Sequence, residues 1–255
     1  MNCAPPEEFG AFFYRGGLSK NAQIIYDKMY AQFLRKDYSG VTRFHVTDAE
    51  DAVEDSFSAY RAIKKDHPEF FFLGNNMHYT RRGYEAKLEY TILYPPHTTA
   101  RMKQVLEYKI KEYLRGTDKM SEYKKEKVIY KRIVHTVNYN KERDYRSHNV
   151  VGPILYGEGC CEAQSALLVL CLRSAAIPAI QIYGKSKRNR GHGWVLLWMN
   201  GDPVHADVTW ENRRSLGYRY FNLSDRQISQ DHFDFQGPDI PKCEEECWND
   251  WRYLG

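Results

Sequence analysis

The 255-residue chain has no stretch approaching ~18 consecutive apolar residues, so nothing in it is expected to span a membrane. Its first residues, Met1-Asn2-Cys3-Ala4-Pro5-Pro6, carry neither the charged nor the apolar segment of an export signal. The expectation is a protein that is not exported, or an extracytoplasmic one whose signal has been removed. Cysteine is scarce: Cys3, Cys160, Cys161, Cys171, Cys243 and Cys247 are too few and too clustered for a disulfide framework. Cys243 and Cys247 would share a helix face, but they lack two further ligands for zinc and read as free thiols. Neither a metal nor an organic cofactor is implied. No charge of one sign dominates, with 37 basic and 33 acidic residues and a net charge of +4. The densest basic run, 185–190, has no interleaved aromatics, and no zinc-finger or RNA-binding signature is present. Nucleic acid is therefore not an expected partner. Gly-x-Ser-x-Gly is missing, as are the glycine-rich phosphate loops. Internal repeats and low-complexity tracts are missing too.

What is present is an ordinary globular composition, 42% apolar and 27% charged, with an unusual twenty tyrosines. A chain of this length buries one substantial core or two small ones. Ile24, Ile25, Met29 and Phe33 predict a helix over 19–36, with Ser19 or Asn21 as its cap. Thr47 and Glu50 predict the start of a second helix, faced by Val53, Phe57, Tyr60 and Ile63 and stopped at His67-Pro68. Tyrosine-rich segments 76–81 and 84–94 read as a hairpin, and helices are expected near 99–115 and 120–138. From Cys161 to Ala176 the sequence is almost wholly apolar, which predicts a helix buried on most sides. Three β-like runs follow, 179–183, 193–198 and 204–208, the last two joined by Asn200-Gly201-Asp202.

Taken singly, Cys161, His192 and Asp207 have ordinary structural explanations. A cysteine at a buried helix start is more often a small core residue than a nucleophile. In combination they suggest chemistry. Helix-terminal N–H groups at Cys161 favour a thiolate and can cradle an oxyanion. His192 lies 31 residues on (192 − 161) between two glycines, and Asp207 lies 15 further (207 − 192) on the partner strand of one hairpin. Packing the helix on that sheet would assemble a nucleophile, a base and an orienting carboxylate. His205, two residues before Asp207 on the same face, competes for the histidine role.

The order Gly159-Cys160-Cys161, His192-Gly193-Trp194 and His205-Ala206-Asp207-Val208-Thr209-Trp210 resembles the transglutaminase-like (papain-like cysteine) superfamily in its bacterial form. Asp66-His67-Pro68-Glu69-Phe70-Phe71 is similar to an upstream motif of such proteins, and Tyr220–Asp225 with Asp231-His232 to the stretch after their catalytic aspartate. The resemblance covers roughly 45–235. It implies Cys161 as nucleophile, since the family residue lies two after the glycine, with His192 and Asp207 as partners and His205 in support. It also implies Gly159, Gly193, Trp194 and Trp210 as substrate-binding residues. Val195 and Glu162-Ala163-Gln164-Ser165 depart from the commoner family residues, so substrate preference does not carry over. The expected fold is α+β: residues 1–139 form a helical region with one hairpin that packs on a catalytic core at 140–255. The expected activity is acyl transfer from a protein, peptide or peptidoglycan-like amide, to water in preference to an amine. A binding or structural module that keeps the fold without turnover is the alternative.

Overall fold

The computed structural model describes residues 7–47, 51–140, 144, 146–187, 190–211 and 213–244. The fold is α+β, and the chain divides into two compact units, residues 12–104 and residues 105–255 with the first eleven.

The first unit runs α1 (Phe13–Gly16), α2 (Lys20–Leu34), β1 (Val41–His45), α3 (Ala52–Asp66), β2 (Leu73–Arg82), β3 (Glu85–Ile92) and the start of α4 (Pro96–Leu114). Ser19 caps α2, its hydroxyl accepting from the Ala22 amide at 3.1 Å. Ile25, Tyr26, Met29 and Phe33 face inward, while Ile24, expected on that face, is 65% exposed because it lies about 100° around the helix from Ile25. The second helix begins at Ala52, not at Thr47, and residues 48–50, which include the expected capping partner Glu50, fall outside the described residues. Its buried face is built from Ala59, Tyr60, Ala62 and Ile63, and Val53 stays exposed. The expected hairpin is β2–β3, turned at Gly83 with φ +63°, and β1, which was not expected, pairs antiparallel with β3.

Many of the tyrosines serve this unit's aromatic core. Phe33, Phe70, Phe72 and Tyr90 pack edge to face, and His67 stacks on Tyr30 at 4.6 Å. The Asp-His-Pro-Glu-Phe-Phe motif is thus absorbed into packing. Asp66 accepts from the Tyr14 and Arg15 amides and from the Tyr26 hydroxyl, at 2.9, 3.0 and 3.0 Å.

The second unit continues with α5 (Glu122–Thr136), β4 (Asn138–Tyr139), a π-helical turn (Gly152–Tyr156), β5 (Glu158–Gly159) and α6 (Cys161–Ser174). Then come β6 (Ala179–Ser186), β7 (Arg190–Met199), β8 (Asp202–Ala206), α7 (Asp225–Ile228) and β9 (His232–Gln236). The sheet order is β8-β7-β6-β9, all antiparallel. Asn200 and Gly201, both at positive φ, turn β7 into β8 as the turn sequence predicts. Residues Trp194 to Met199 of β7 are buried on both faces, which accounts for their continuous apolar run. α6 packs against β6 and β7, with Ala163, Leu167, Leu168, Val169, Cys171 and Leu172 wholly inaccessible. β4 pairs in parallel with β5, which sets Tyr139 beside the strand that leads to Cys161.

Candidate active site

Gly159 admits the chain to α6. A Cβ there would stand 2.8 Å from the Ala163 Cβ and 3.0 Å from Pro153 Cδ, so only glycine lets the first helical turn approach β5. Cys160 follows as the N-cap, in extended backbone conformation, and Cys161 is the first helical residue. Adjacent side chains on a helix start diverge by about 100°, and the two thiols face different neighbours. Cys160 is buried, its sulfur 3.5 Å from His148 Nδ1, which also lies 3.1 Å from Glu162 Oε2. Cys161 is half-buried, and the Gly193 amide donates towards its sulfur.

The two sulfurs titrate as a unit. The Cys161 thiol donates to Cys160 and holds it down to about 6, against burial, with help from the Ala163 and Glu162 amides and from His148. The same hydrogen bond to Cys160, then burial, pushes Cys161 up, and the Gly193 amide opposes this. The pair therefore loses a first proton more readily than a second.

β7 and β8 bring the histidine and the aspartate together. Val195 pairs with Ala206, which puts Asp207, one residue beyond the end of β8, opposite Trp194 and diagonal to His192. His192 Nε2 lies 2.7 Å from Asp207 Oδ2. The other carboxylate oxygen accepts from the Thr209 amide and hydroxyl at 2.8 and 2.7 Å, an Asx-type turn that the Asp-Val-Thr sequence supplies. Behind the pair, the Tyr130 hydroxyl stands 3.0 Å from the Asp207 carbonyl, which it holds from α5. Burial opposes ionisation of Asp207, but His192 and His232 outweigh it and keep the carboxyl well below the usual carboxylate range. His192 Nδ1 has no hydrogen-bond partner among the described residues, Cys161 included. Such bonds commonly tighten only when substrate is bound.

An open cleft of about 400 Å³ lies over this pair, lined by Tyr139, Arg190, His192, Thr209 and Trp210 among others. Of the four residues expected to bind substrate, Trp210 lines the cleft and tilts against the His192 ring at 5.6 Å, and Gly193 adjoins Cys161. Gly159 and Trp194 lie back from the cleft. Gly159 is buried against Ala163 and Pro153, and Trp194 is fully buried, its indole donating to His205 Nδ1 at 3.1 Å. That bond leaves the His205 Nε2 proton for Asp225, 2.9 Å away, so His205 is spent on structure.

His148, Tyr139 and His232 went unnoticed in the sequence as site residues. Only His232 carried a signal, its place in Asp231-His232.

Three donor groups are close enough to suggest a metal: His148–Cys160–Glu162, His192–Asp207–His232 and His205–Asp225–Cys243. In the second, both imidazoles present Nε2 to one oxygen at 2.7 and 3.1 Å, which is the geometry of N–H donation. In the third, the Trp194 bond commits the His205 proton to Asp225. Cys243 is buried and forms no disulfide among the described residues, and Cys247 falls outside them.

Residues 109–210, a span that holds Cys161, His192 and Asp207, match the family model of the transglutaminase-like superfamily. That stretch is similar to transglutaminase-like domains. Among solved structures it is similar to a TGase at 11% identity and a TM-score of 0.40, over 66% of this chain and 51% of that one. It is also similar to a candidate cysteine protease from Cytophaga hutchinsonii, at 13% identity and a TM-score of 0.36 over 54% of this chain and 62% of that one. This chain thus spans about half the length of the TGase. No curated protein matches it. No described helix is long and apolar enough to cross a membrane.

Proposed function

We propose that this transglutaminase-like domain transfers acyl groups from amide bonds of a protein, peptide or peptidoglycan-like substrate, and that water is the favoured acceptor. The observation that carries the reading is the buried His192–Asp207 bond of 2.7 Å, with His192 Nδ1 unpartnered next to the Gly193 amide that serves Cys161. Cys161 sulfur attacks the amide carbon while His192 Nδ1 takes the thiol proton. The Gly193 N–H and the first amides of α6 are the nearby donors for the resulting oxyanion. His192 then gives its proton to the leaving nitrogen, the C–N bond breaks and a thioester remains. Water attacks that thioester, His192 removes its proton, and Cys161 leaves with the proton restored. Asp207 keeps Nε2 protonated throughout, which fixes Nδ1 as the reacting nitrogen. Arg190 at the cleft offers a cation to a substrate carboxylate.

One observation favours the non-catalytic binding module: the Cys160 sulfur lies 3.5 Å from His148 Nδ1, while no hydrogen bond joins Cys161 to His192 among the described residues. Iodoacetamide labelling at pH 6 with peptide mapping separates the readings. Label on Cys161 that survives Cys160→Ala and vanishes in Cys161→Ala is the expected result. Label confined to Cys160 would move the nucleophile by one residue. Labelling as slow as that of a free cysteine would leave the binding module.

A further inference from the structure

His232 takes no part in the steps above, yet it is fully buried and reaches the oxygen that His192 uses. Its Nε2 lies 3.1 Å from Asp207 Oδ2, and its Nδ1 lies 2.6 Å from Asp231 Oδ1. Asp231 accepts in turn from the Tyr220 hydroxyl at 2.7 Å. An ionised carboxylate only accepts hydrogen bonds, so a ring held between two of them carries a proton on each nitrogen. Burial works against that charge, and the bonds to Asp207 and Asp231 overcome it. The other titratable groups that face the ring are His192 on β7, 5.1 Å away between ring centroids, His205 on β8, and Tyr220. Trp210 and Trp194 close the remaining sides at 4.8 and 5.0 Å. Water is kept out, and the charge is poorly screened.

We infer that His232 is a positioning residue of the active site, a cationic imidazole that pins Asp207 and sets the pH at which His192 gives and takes its proton. The inference rests on the acyl-transfer reading. It separates two contributions of one side chain. The first is a hydrogen bond that, with Thr209, fixes the Asp207 carboxylate. The second is a positive charge that offsets part of the Asp207 charge, so that His192 can release its proton to a leaving amine. A unit charge about 5 Å away, at an effective dielectric near 20, moves a titration by at most about two and a half pH units.

Substitution divides these contributions. His232→Gln keeps an N–H donor for Asp207 and removes the charge, whereas His232→Ala removes both. The full chain is assayed for p-nitrophenyl acetate turnover against pH, with thermal midpoints recorded alongside. Without the cation the neighbouring base is freed only at higher pH, so the pH of half-plateau turnover should rise by about one unit in both variants. The plateau should stay within about threefold of wild type for His232→Gln and fall at least about tenfold for His232→Ala, the scale of lost outer-sphere support. Asp231→Asn leaves His232 with one carboxylate and should move the profile the same way by less, which covers a glutamine variant that fails to fold. An unmoved half-plateau pH in a folded His232→Gln or Asp231→Asn, with turnover retained, overturns the role of His232 alone. Absence of Cys161-dependent turnover in the wild type sinks the acyl-transfer reading and this inference with it.

Discussion

Glu126 is a carboxyl sealed inside the unit that carries the candidate site, and its stability signature can be worked out. Its Oε2 accepts from Asn222 Nδ2 at 2.8 Å, while Glu126 Oε1 and Asn222 Oδ1 are both buried without a partner. A neutral Glu126 would carry a donor in place of one of these unpartnered acceptors. Burial pushes the carboxyl up from 4.5 to about 8, against the Asn222 hydrogen bond. Between those values the native state keeps a proton that the unfolded chain has released. Stability from this group is therefore complete below 4.5 and falls as pH rises through about 8. At about 1.4 kcal/mol per pH unit, that interval corresponds to about 5 kcal/mol. Glu126→Gln has the same shape, no charge, and an oxygen that can still accept from Asn222 Nδ2. It should match wild type at pH 4.5 and exceed it by about 3–5 kcal/mol at pH 8.5. Urea denaturation followed by tryptophan fluorescence tests this, because all five tryptophans lie between residues 105 and 255. The difference between the two proteins removes other titrating groups, such as Asp66, which burial raises to about 6. A difference that stays flat with pH would refute the neutral Glu126.

Tyr130→Phe should cost about 1–3 kcal/mol in the same denaturation assay, because the hydroxyl lies within 3.2 Å of the Asp207 and Tyr220 carbonyls and of Glu211 Oε2. A loss under about 0.5 kcal/mol would mean that water replaces it. Asp207→Asn should lower p-nitrophenyl acetate turnover by about 10³–10⁴ in a folded protein, since an amide no longer holds the Nε2 proton of His192. Turnover within about tenfold of wild type would remove Asp207 from the mechanism.

Local pattern made much of this molecule legible. The almost wholly apolar run after Cys161 reads as a buried helix, and Asn200-Gly201 could be little else than a tight turn. Once that hairpin was read, His192 and Asp207 fell near one another by strand pairing. The rest depended on partners distant in sequence. β9 pairs with β6 across more than forty intervening residues, and nothing within 232–236 announces it. His232 was therefore visible as a residue and invisible as a neighbour of Asp207. β1 is short and alternates without strong apolar character, so only its pairing with β3 defines it. The coupled titration of Cys160 and Cys161 was hidden for another reason. It depends on which way each sulfur points and on His148, reached by a loop rather than by a periodic element.

The burial of α6 has a consequence for motion. Its amides from Leu167 to Leu172 belong to the most inaccessible part of the molecule, and exchange with solvent deuterium there requires the whole unit to open. The two thiols stand at the end of that slowest element, so they cannot be brought to a substrate by a local swing of the backbone. Adaptation to differently shaped partners falls instead to the rim, where Tyr139 and Arg190 are exposed. Deuterium uptake should therefore divide the site sharply, with a rim that exchanges early and a sulfur-bearing helix that exchanges last.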